Sequence, residues 1–186
     1  GSYNLQRLEG NIAGLYRPET GQLDPNINSD FDLLSLLPNR TGPLDGDNRH
    51  TFGLAGAYNL GLGQRHNINF GAGLRASSGA PTSYLGSHTV YGEDEVFVLP
   101  RGSGERLPWF YTGDINLRYG LTLPNGHELL ASINVYNLFN LQGATAKDET
   151  YTRADVLPVR DGSAADLSKV MTSDGVPLTA DELNKN

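Results

Sequence analysis

The sequence contains no cysteine, which excludes disulfide bonds and thiolate metal ligands. It also lacks any run of about 18 apolar residues, so no membrane-spanning helix is predicted. Basic residues are scarce, with 14 Lys and Arg against 21 Asp and Glu, and the net charge of −7 argues against a non-specific nucleic-acid binder. The fold is therefore not held by disulfide bonds, and nucleic acid is not the expected ligand.

What the sequence does have is a regular alternation of apolar and polar residues, clearest in residues 50–78. Successive side chains leave a β-strand on opposite sides, so a period of two predicts strands with one apolar face. The alternation blurs after Tyr136, which suggests a bulge. Helix is expected only as a short turn within 29–40 and as a helix start at 179–186. We predict five strands, at about residues 2–10, 50–61, 66–77, 108–123 and 128–142.

The connections between the predicted strands fall into two classes of length. Tight turns are predicted near residues 61–65 and at Asn125-Gly126, an Asn-Gly hairpin signal. The other connections, 11–49, 80–107 and the residues after 142, are long. Because strand direction reverses at each hairpin, both tight turns fall on one side of the sheet and all three long segments on the other.

Two architectures suit antiparallel hairpins with one apolar face. In a soluble sandwich two such faces pack together, whereas in a membrane barrel they face lipid. Strand length favours the barrel, since spanning a bilayer takes about 9–11 tilted residues and soluble strands usually have about 5–6. Three of the predicted strands alternate for about 11 to 15 residues. Aromatic residues gather near the strand ends, as in the interfacial girdles of outer-membrane barrels.

The barrel interpretation assigns opposite environments to the two faces. A one-residue shift would exchange them, so the assignment is specific. An ion-pair network of Arg75, Asp114 and Arg118 is the favoured alternative to direct contact with cargo. We predict that the lipid-facing residues are Phe52, Leu54, Leu60, Ile68, Phe70, Leu74, Ile115, Leu117, Leu121, Ile133 and Val135. The predicted lumen-facing residues, available to cargo or to a plug, are Asn67, Asn69, Arg75, Asp114, Asn116, Arg118 and Asn134.

Candidate sites in the long segments are acidic. Asp45 and Asp47 alternate as in calcium loops but lack the remaining ligand pattern, and Glu93, Asp94 and Glu95 form a cluster. We interpret both groups as solvated residues of extracellular loops. The four histidines lack metal-ligand spacing, and no nucleophile has a recognisable partner, so we predict no metal, no cofactor and no enzyme.

The chain resembles the C-terminal part of Oar-like TonB-dependent receptors, outer-membrane proteins of Gram-negative bacteria. The resemblance covers nearly the whole chain and is most specific in RPETGQLDPN (17–26) and LPRGSGERLPW (99–109), with INVYNLFN (133–140) more widely shared. It implies an all-β fold in which residues 1–186 form about five strands of a 22-stranded antiparallel transmembrane β-barrel with long extracellular loops. The plug domain and the final strand are expected to lie outside this chain.

The resemblance also implies a function. Such receptors move cargo across the bacterial outer membrane, whether a nutrient, a metal chelate, a peptide or a protein. The expected partners are the rest of the barrel and its plug, the TonB energy-transducing complex acting through the plug, and outer-membrane lipid or lipopolysaccharide, with no nucleic acid. The alternative is a soluble secreted β-sandwich that serves as an adhesion or carbohydrate-binding module.

Overall fold

A computed structural model describes residues 1–17, 20–21 and 29–183, in which the chain is all-β and divides into two compact units. The strand unit contains Gly1–Leu5, Arg49–Ser78 and Pro108–Ala144, and the loop unit contains Gln6–Asn48, Gly79–Leu107 and Thr145–Asn186. In chain order the strands are β1 (Ser2–Leu5), β2 (Glu9–Gly10), β3 (Gly42–Pro43), β4 (His50–Leu62), β5 (His66–Ser77), β6 (Leu85–His88), β7 (Gly92–Phe97), β8 (Phe110–Thr122), β9 (Glu128–Val135) and β10 (Thr150–Asp155).

The strand unit is a single antiparallel sheet in the order β1-β4-β5-β8-β9. Strands β4, β5 and β8 have 12 or 13 residues and agree closely with three predicted segments. The sheet is open, with β1 and β9 at its edges. The chain is therefore all-β as predicted, but this sheet does not close on itself.

Two predicted strands have different bounds in the structure. The predicted strand 2–10 is wrong as one element, because β1 ends at Leu5 and Glu9–Gly10 pairs with β3 in the loop unit. The predicted strand 128–142 is too long, because β9 ends at Val135 and a turn follows instead of a bulge.

The register of the strands sorts the side chains onto two faces. Residues directly opposite each other in neighbouring strands share a face. One row across the middle of the sheet is Tyr58, Phe70, Leu117 and Ile133, all with exposed side chains. The apolar face of the strand unit therefore continues across four strands without being packed into a core.

Both tight turns lie at the same ends of the strands. Gly63 has φ +74° between β4 and β5, and Gly126 has φ +83° between β8 and β9. The second turn is closed by the Leu123 amide, which donates to the His127 carbonyl at 2.7 Å. All three long segments begin or end at the opposite strand ends, so the predicted asymmetry is confirmed.

The loop unit is a folded body rather than a set of open loops. It contains a three-stranded sheet, β10-β6-β7, and the small β2-β3 pair. A 3₁₀ helix at Leu34–Leu36 confirms the predicted helical turn, and a second one covers Ala164–Lys169. Residues 179–183 form no helix, and 184–186 lie outside the described residues. No helix in the described part of the chain is long and apolar enough to span a membrane.

The core of the loop unit draws on all three long segments. Leu36 comes from the first segment, Val96 and Val98 from the second, and Val156 and Val170 from the third, and each is at most 4% exposed. Packing across the segments means that none of them can keep its conformation alone.

Asn39 connects the same three segments by hydrogen bonds. Its side-chain amide donates to the carbonyls of Phe97, Val98 and Val159 at 2.9 to 3.2 Å. Asn39 has φ +63°, a left-handed conformation that asparagine adopts more readily than most residues. A local turn residue therefore fixes contacts between segments more than 50 residues apart.

Candidate functional site

The seven residues predicted to face the lumen lie on one face of the strand unit. Asn69 is directly opposite Arg118, and Asn116 is directly opposite Asn134. Asp114 is opposite Gly73, and the remaining residues follow at alternate positions of the same strands. This face is opposite the apolar one, as predicted. Whether it lines a lumen stays a prediction.

Small residues make room on the polar face beside two charged ones. Gly53 and Gly73 lie next to Arg75 and Asp114 and help to line a depression of about 460 Å³. A side chain on Gly73 would meet nothing within 4 Å, so the backbone of β5 is open to an incoming group there. The arrangement offers an approaching polar chain a cation, a carboxylate and exposed backbone.

The charges on this face do not form a network with one another. Among the ion pairs of the described residues, none joins Arg75, Asp114 or Arg118 to another side chain of the sheet. The Asp114 carboxylate instead accepts a hydrogen bond from the Asn137 amide at 2.9 Å. Arg75 and Arg118 are exposed and available to a partner, so their contact with plug or cargo remains a prediction.

A compact turn follows β9 and folds onto the apolar face. Asn137 and Asn140 have φ of +50° and +48°, and the Asn137 side chain exchanges two hydrogen bonds with the Leu141 backbone. The ring of Phe139 lies over Gly113, where a Cβ atom would be 2.7 Å from Phe139 Cε2. The NLFN stretch is therefore a strand terminator that uses a glycine of the neighbouring strand.

In the loop unit, the largest concentration of buried charge surrounds Asp30. Arg40 donates to the Asp30 carboxylate, and Arg17 Nε lies 3.2 Å from the same oxygen. All three side chains are at most 2% exposed. Burial lowers the pKa of the Arg40 guanidinium, and the negative charge of Asp30 opposes that shift. Glu95 pairs with Arg17 and supplies the second negative charge, so two arginines and two carboxylates balance and the cluster has a structural role.

The interpretation of Asp47 as a solvated residue is wrong. Asp47 is completely buried, forms an ion pair with Arg106 and accepts a hydrogen bond from the Leu8 amide at 2.8 Å. Its carboxylate satisfies backbone and guanidinium donors within the loop unit. Asp45, two residues earlier, is half-buried and lines a cavity of the same unit.

The acidic stretch at 93–95 is also more ordered than predicted. It lies in β7, where Glu95 accepts hydrogen bonds from Arg17 and Ser29, while only Glu93 is well exposed. Asp94 has φ +59° and accepts a hydrogen bond from Thr150 at 2.8 Å. The solvated-loop interpretation therefore holds for one of the three acids.

A cavity of about 340 Å³ in the loop unit brings together residues from all three long segments. Asp45, Asp94 and Asp148 supply carboxylates, and Leu85 and Leu107 supply apolar surface. Burial raises the pKa of Asp94, with the carboxylates of Asp148 and Glu93 adding to that shift. No group of three potential metal ligands is found in the described ranges.

The residues that hold the loop unit together are not among those predicted from the sequence. Arg101 donates through Nε to the Arg40 carbonyl at 3.0 Å, and Arg106 donates to the Asp47 and Gly79 carbonyls at 2.6 and 3.1 Å. Both arginines belong to LPRGSGERLPW, the stretch that carried the family resemblance. The stretch that carries the family resemblance therefore contains residues with a structural role, which is to connect the long segments of the loop unit.

The apolar residues at 96–98 of the second long segment are all buried, whereas those of the first are divided, with Leu36 in the core and others at the surface. Val96, Phe97 and Val98 are at most 3% exposed, so they belong to the core of the loop unit. Phe31 and Leu34 are 51% and 83% exposed, so they remain on its surface.

Comparison with known proteins finds a similarity to the TonB-dependent transporters. Over 169 residues, 91% of its length, the chain is 46% identical to the TonB-dependent transporter Oar of Myxococcus xanthus. The chain spans 16% of the length of that relative. No family model matches the chain, and no solved structure matches it. The resemblance to Oar-like TonB-dependent receptors is confirmed.

Proposed function

We propose that this chain forms part of the wall and the outer loops of a TonB-dependent transporter in the bacterial outer membrane. The observation that carries the proposal is the 46% identity to Oar, together with long strands whose apolar side chains are exposed. Open strand edges are not tolerated in lipid, so β1 and β9 pair with strands of the rest of the receptor. The five strands then belong to a larger barrel, for which the resemblance to Oar-like receptors implies 22 strands.

The two faces of the strand unit then have separate tasks. The apolar face contacts outer-membrane lipid, including lipopolysaccharide. The polar face lines the lumen, where Arg75, Asp114 and Arg118 contact the plug or passing cargo. A soluble sandwich is not favoured, because side chains such as Leu54 and Ile133 are 60% and 64% exposed where a sandwich would bury them.

Recognition of cargo is assigned to the loop unit, on the cell exterior. Binding residues concentrate on segments held by a rigid scaffold, and the loop unit has its own core. Its charge is also distinctive, since it contains 19 of the 21 acidic residues and 10 of the 14 basic ones. Cargo bound there is carried through the barrel with energy that the TonB complex delivers to the plug, without chemical conversion.

The proposal is tested by thiol labelling of the complete receptor in intact cells. Any cysteine elsewhere in the receptor is first replaced, since this chain contributes none, and Ser168→Cys in the loop unit or Asn125→Cys in a hairpin turn is then the single reporter; both residues are exposed. A membrane-impermeant maleimide should label Ser168→Cys in intact cells and Asn125→Cys only after the outer membrane is permeabilised. Equal labelling of both in intact cells, or the reverse order, would contradict the proposed orientation.

A further inference from the structure

The apolar face of the strand unit carries a groove of about 440 Å³ near the strand ends from which the long segments leave. Phe52, Ala76 and Tyr111 form one row across β4, β5 and β8, so an alanine lies between two large rings. Leu74 lies further into the sheet on the same face, and Phe139 forms a wall. The groove exists because Ala76 is small and because Gly113 lets Phe139 fold back.

The side chains that form this groove present mainly carbon atoms and aromatic rings, because its polar neighbours Arg75 and Thr112 belong to the opposite face of the sheet. Phe52, Leu54 and Leu74 have no hydrogen-bonding group, and Phe139 has none either. A polar ligand would lose its hydrogen bonds to water without replacement, at a substantial cost. The lining therefore selects a ligand that is apolar along its length.

The position of the groove limits what can cover it. Strand β5 is paired on both sides along its length, whereas β4 pairs with β1 only at His50–Gly53 and β8 pairs with β9 only at Ile115–Thr122. Further receptor strands add at these edges in the plane of the sheet, so they do not cover its apolar face. The groove also borders a row of stacked aromatic rings, with Tyr3 and Phe52 centroids 4.6 Å apart and Trp109 and Tyr111 centroids 6.1 Å apart. Such rows mark the boundary between hydrocarbon and headgroups.

We propose that this groove binds one acyl chain of a membrane lipid, from the leaflet on the side of the long segments. The proposal rests on the proposed function, because it needs the apolar face to contact the bilayer. It goes further in assigning one preferred lipid position to this face. The aromatic row contacts the acyl chain near the lipid headgroup, and Phe139 contacts methylene groups further along the acyl chain.

The test uses the complete receptor in nanodiscs that contain phosphatidylcholine with a photoreactive diazirine in one acyl chain. After irradiation, mass spectrometry maps the lipid adducts. Adducts at Phe139 and Leu141 should exceed those at the mid-sheet residues Leu117 and Ile133 roughly tenfold, as burial of about two additional methylene groups would give. Ala76→Trp should fill the groove and remove the enrichment.

The matched control is Ala72→Trp, on the same strand and the same face but outside the groove. It should leave the enrichment unchanged. If Ala76→Trp does not fold, as judged by heat-modifiable migration, Phe139→Ala removes one wall of the groove and should lower the number of adducts at Leu141.

Uniform adducts over the apolar face would contradict a preferred lipid site at the groove, but they would support contact between this face and the bilayer. An absence of adducts from the whole apolar face would contradict the proposed contact between this face and the bilayer. If light scattering showed that Ala76→Trp converts a receptor dimer to a monomer, the occupant would be a second copy and the lipid assignment would be wrong.

Discussion

Arginine introduced at neighbouring positions of β8 should destabilise the strand unit more on the apolar face than on the polar face. Leu117 is near the middle of β8, on the apolar face, and is 43% exposed. Asn116 precedes it on the polar face, where its side-chain amide donates to Asn134. Leu121 shares the face of Leu117 but lies near the hairpin turn.

The magnitudes follow from strand length and depth. A 13-residue strand with a rise of about 3.3 Å per residue is about 40 Å long, and a tilt of about 40° makes it cover roughly 30 Å of bilayer. Leu117→Arg then places a charge near the midplane and should cost about 2–4 kcal/mol. Leu121→Arg should cost about 0–1 kcal/mol near the interface. Asn116→Arg should cost about 1 kcal/mol, the hydrogen bond to Asn134.

The assay is folding of the complete receptor into lipid vesicles across a urea series, with heat-modifiable migration as the measure of the folded fraction. The midpoint should fall most for Leu117→Arg, and the slope should stay constant, since the surface exposed on unfolding is unchanged. Equal losses at Leu117 and Asn116 would refute the assignment of the faces. Equal losses at Leu117 and Leu121 would refute the position of the sheet in the bilayer.

Two further predictions concern the loop unit. Asp30→Asn leaves the buried Arg40 without its carboxylate and should destabilise the unit by about 3–5 kcal/mol, seen as faster hydrogen exchange in β7, whereas Glu93→Gln at the surface should have little effect. Burial raises the pKa of Asp94, so the folded loop unit binds a proton more readily than the unfolded chain does. The stability of the unit should therefore fall as the pH rises from the ordinary aspartate pKa through the raised pKa of the folded state. The stability of the loop unit is measured against pH by hydrogen exchange, corrected for the intrinsic exchange rates. Asp94→Asn should make this stability less dependent on pH, and an unchanged dependence would assign the pH effect to another group.

The strands that could be predicted are those whose pattern is local. In β4 and β5 every second side chain is apolar or small, and the period of two is enough to locate both strands and their faces. The end of β9 could not be predicted, because it depends on Asn137 entering the left-handed region and on Phe139 packing over Gly113. That contact joins residues 26 positions apart, and the sequence around Val135 carries no sign of it.

The sequence also does not predict that the long segments fold into one unit, and the physical reason is the same. The stretch Gly92–Phe97 is acidic at its start and was interpreted as solvated, but its second half is buried by residues of the other long segments. Strand β10 pairs in parallel with β6, about 65 residues earlier, and Asn39 bonds to both later segments. A core assembled from three distant segments has no local period, so composition alone describes each segment as a loop.

This shared core changes how recognition by the long segments can be studied. Shortening residues 85–100 would remove β6, β7 and the buried Val96 and Val98, so the first and third segments would lose their packing partners as well. A loss of transport after such a deletion would report unfolding of the loop unit, not loss of a contact to cargo. Substitutions of side chains at the cavity, such as Asp94→Asn, leave the core intact. If cargo is bound by the loop unit, these substitutions should alter transport while hydrogen exchange in β7 stays slow.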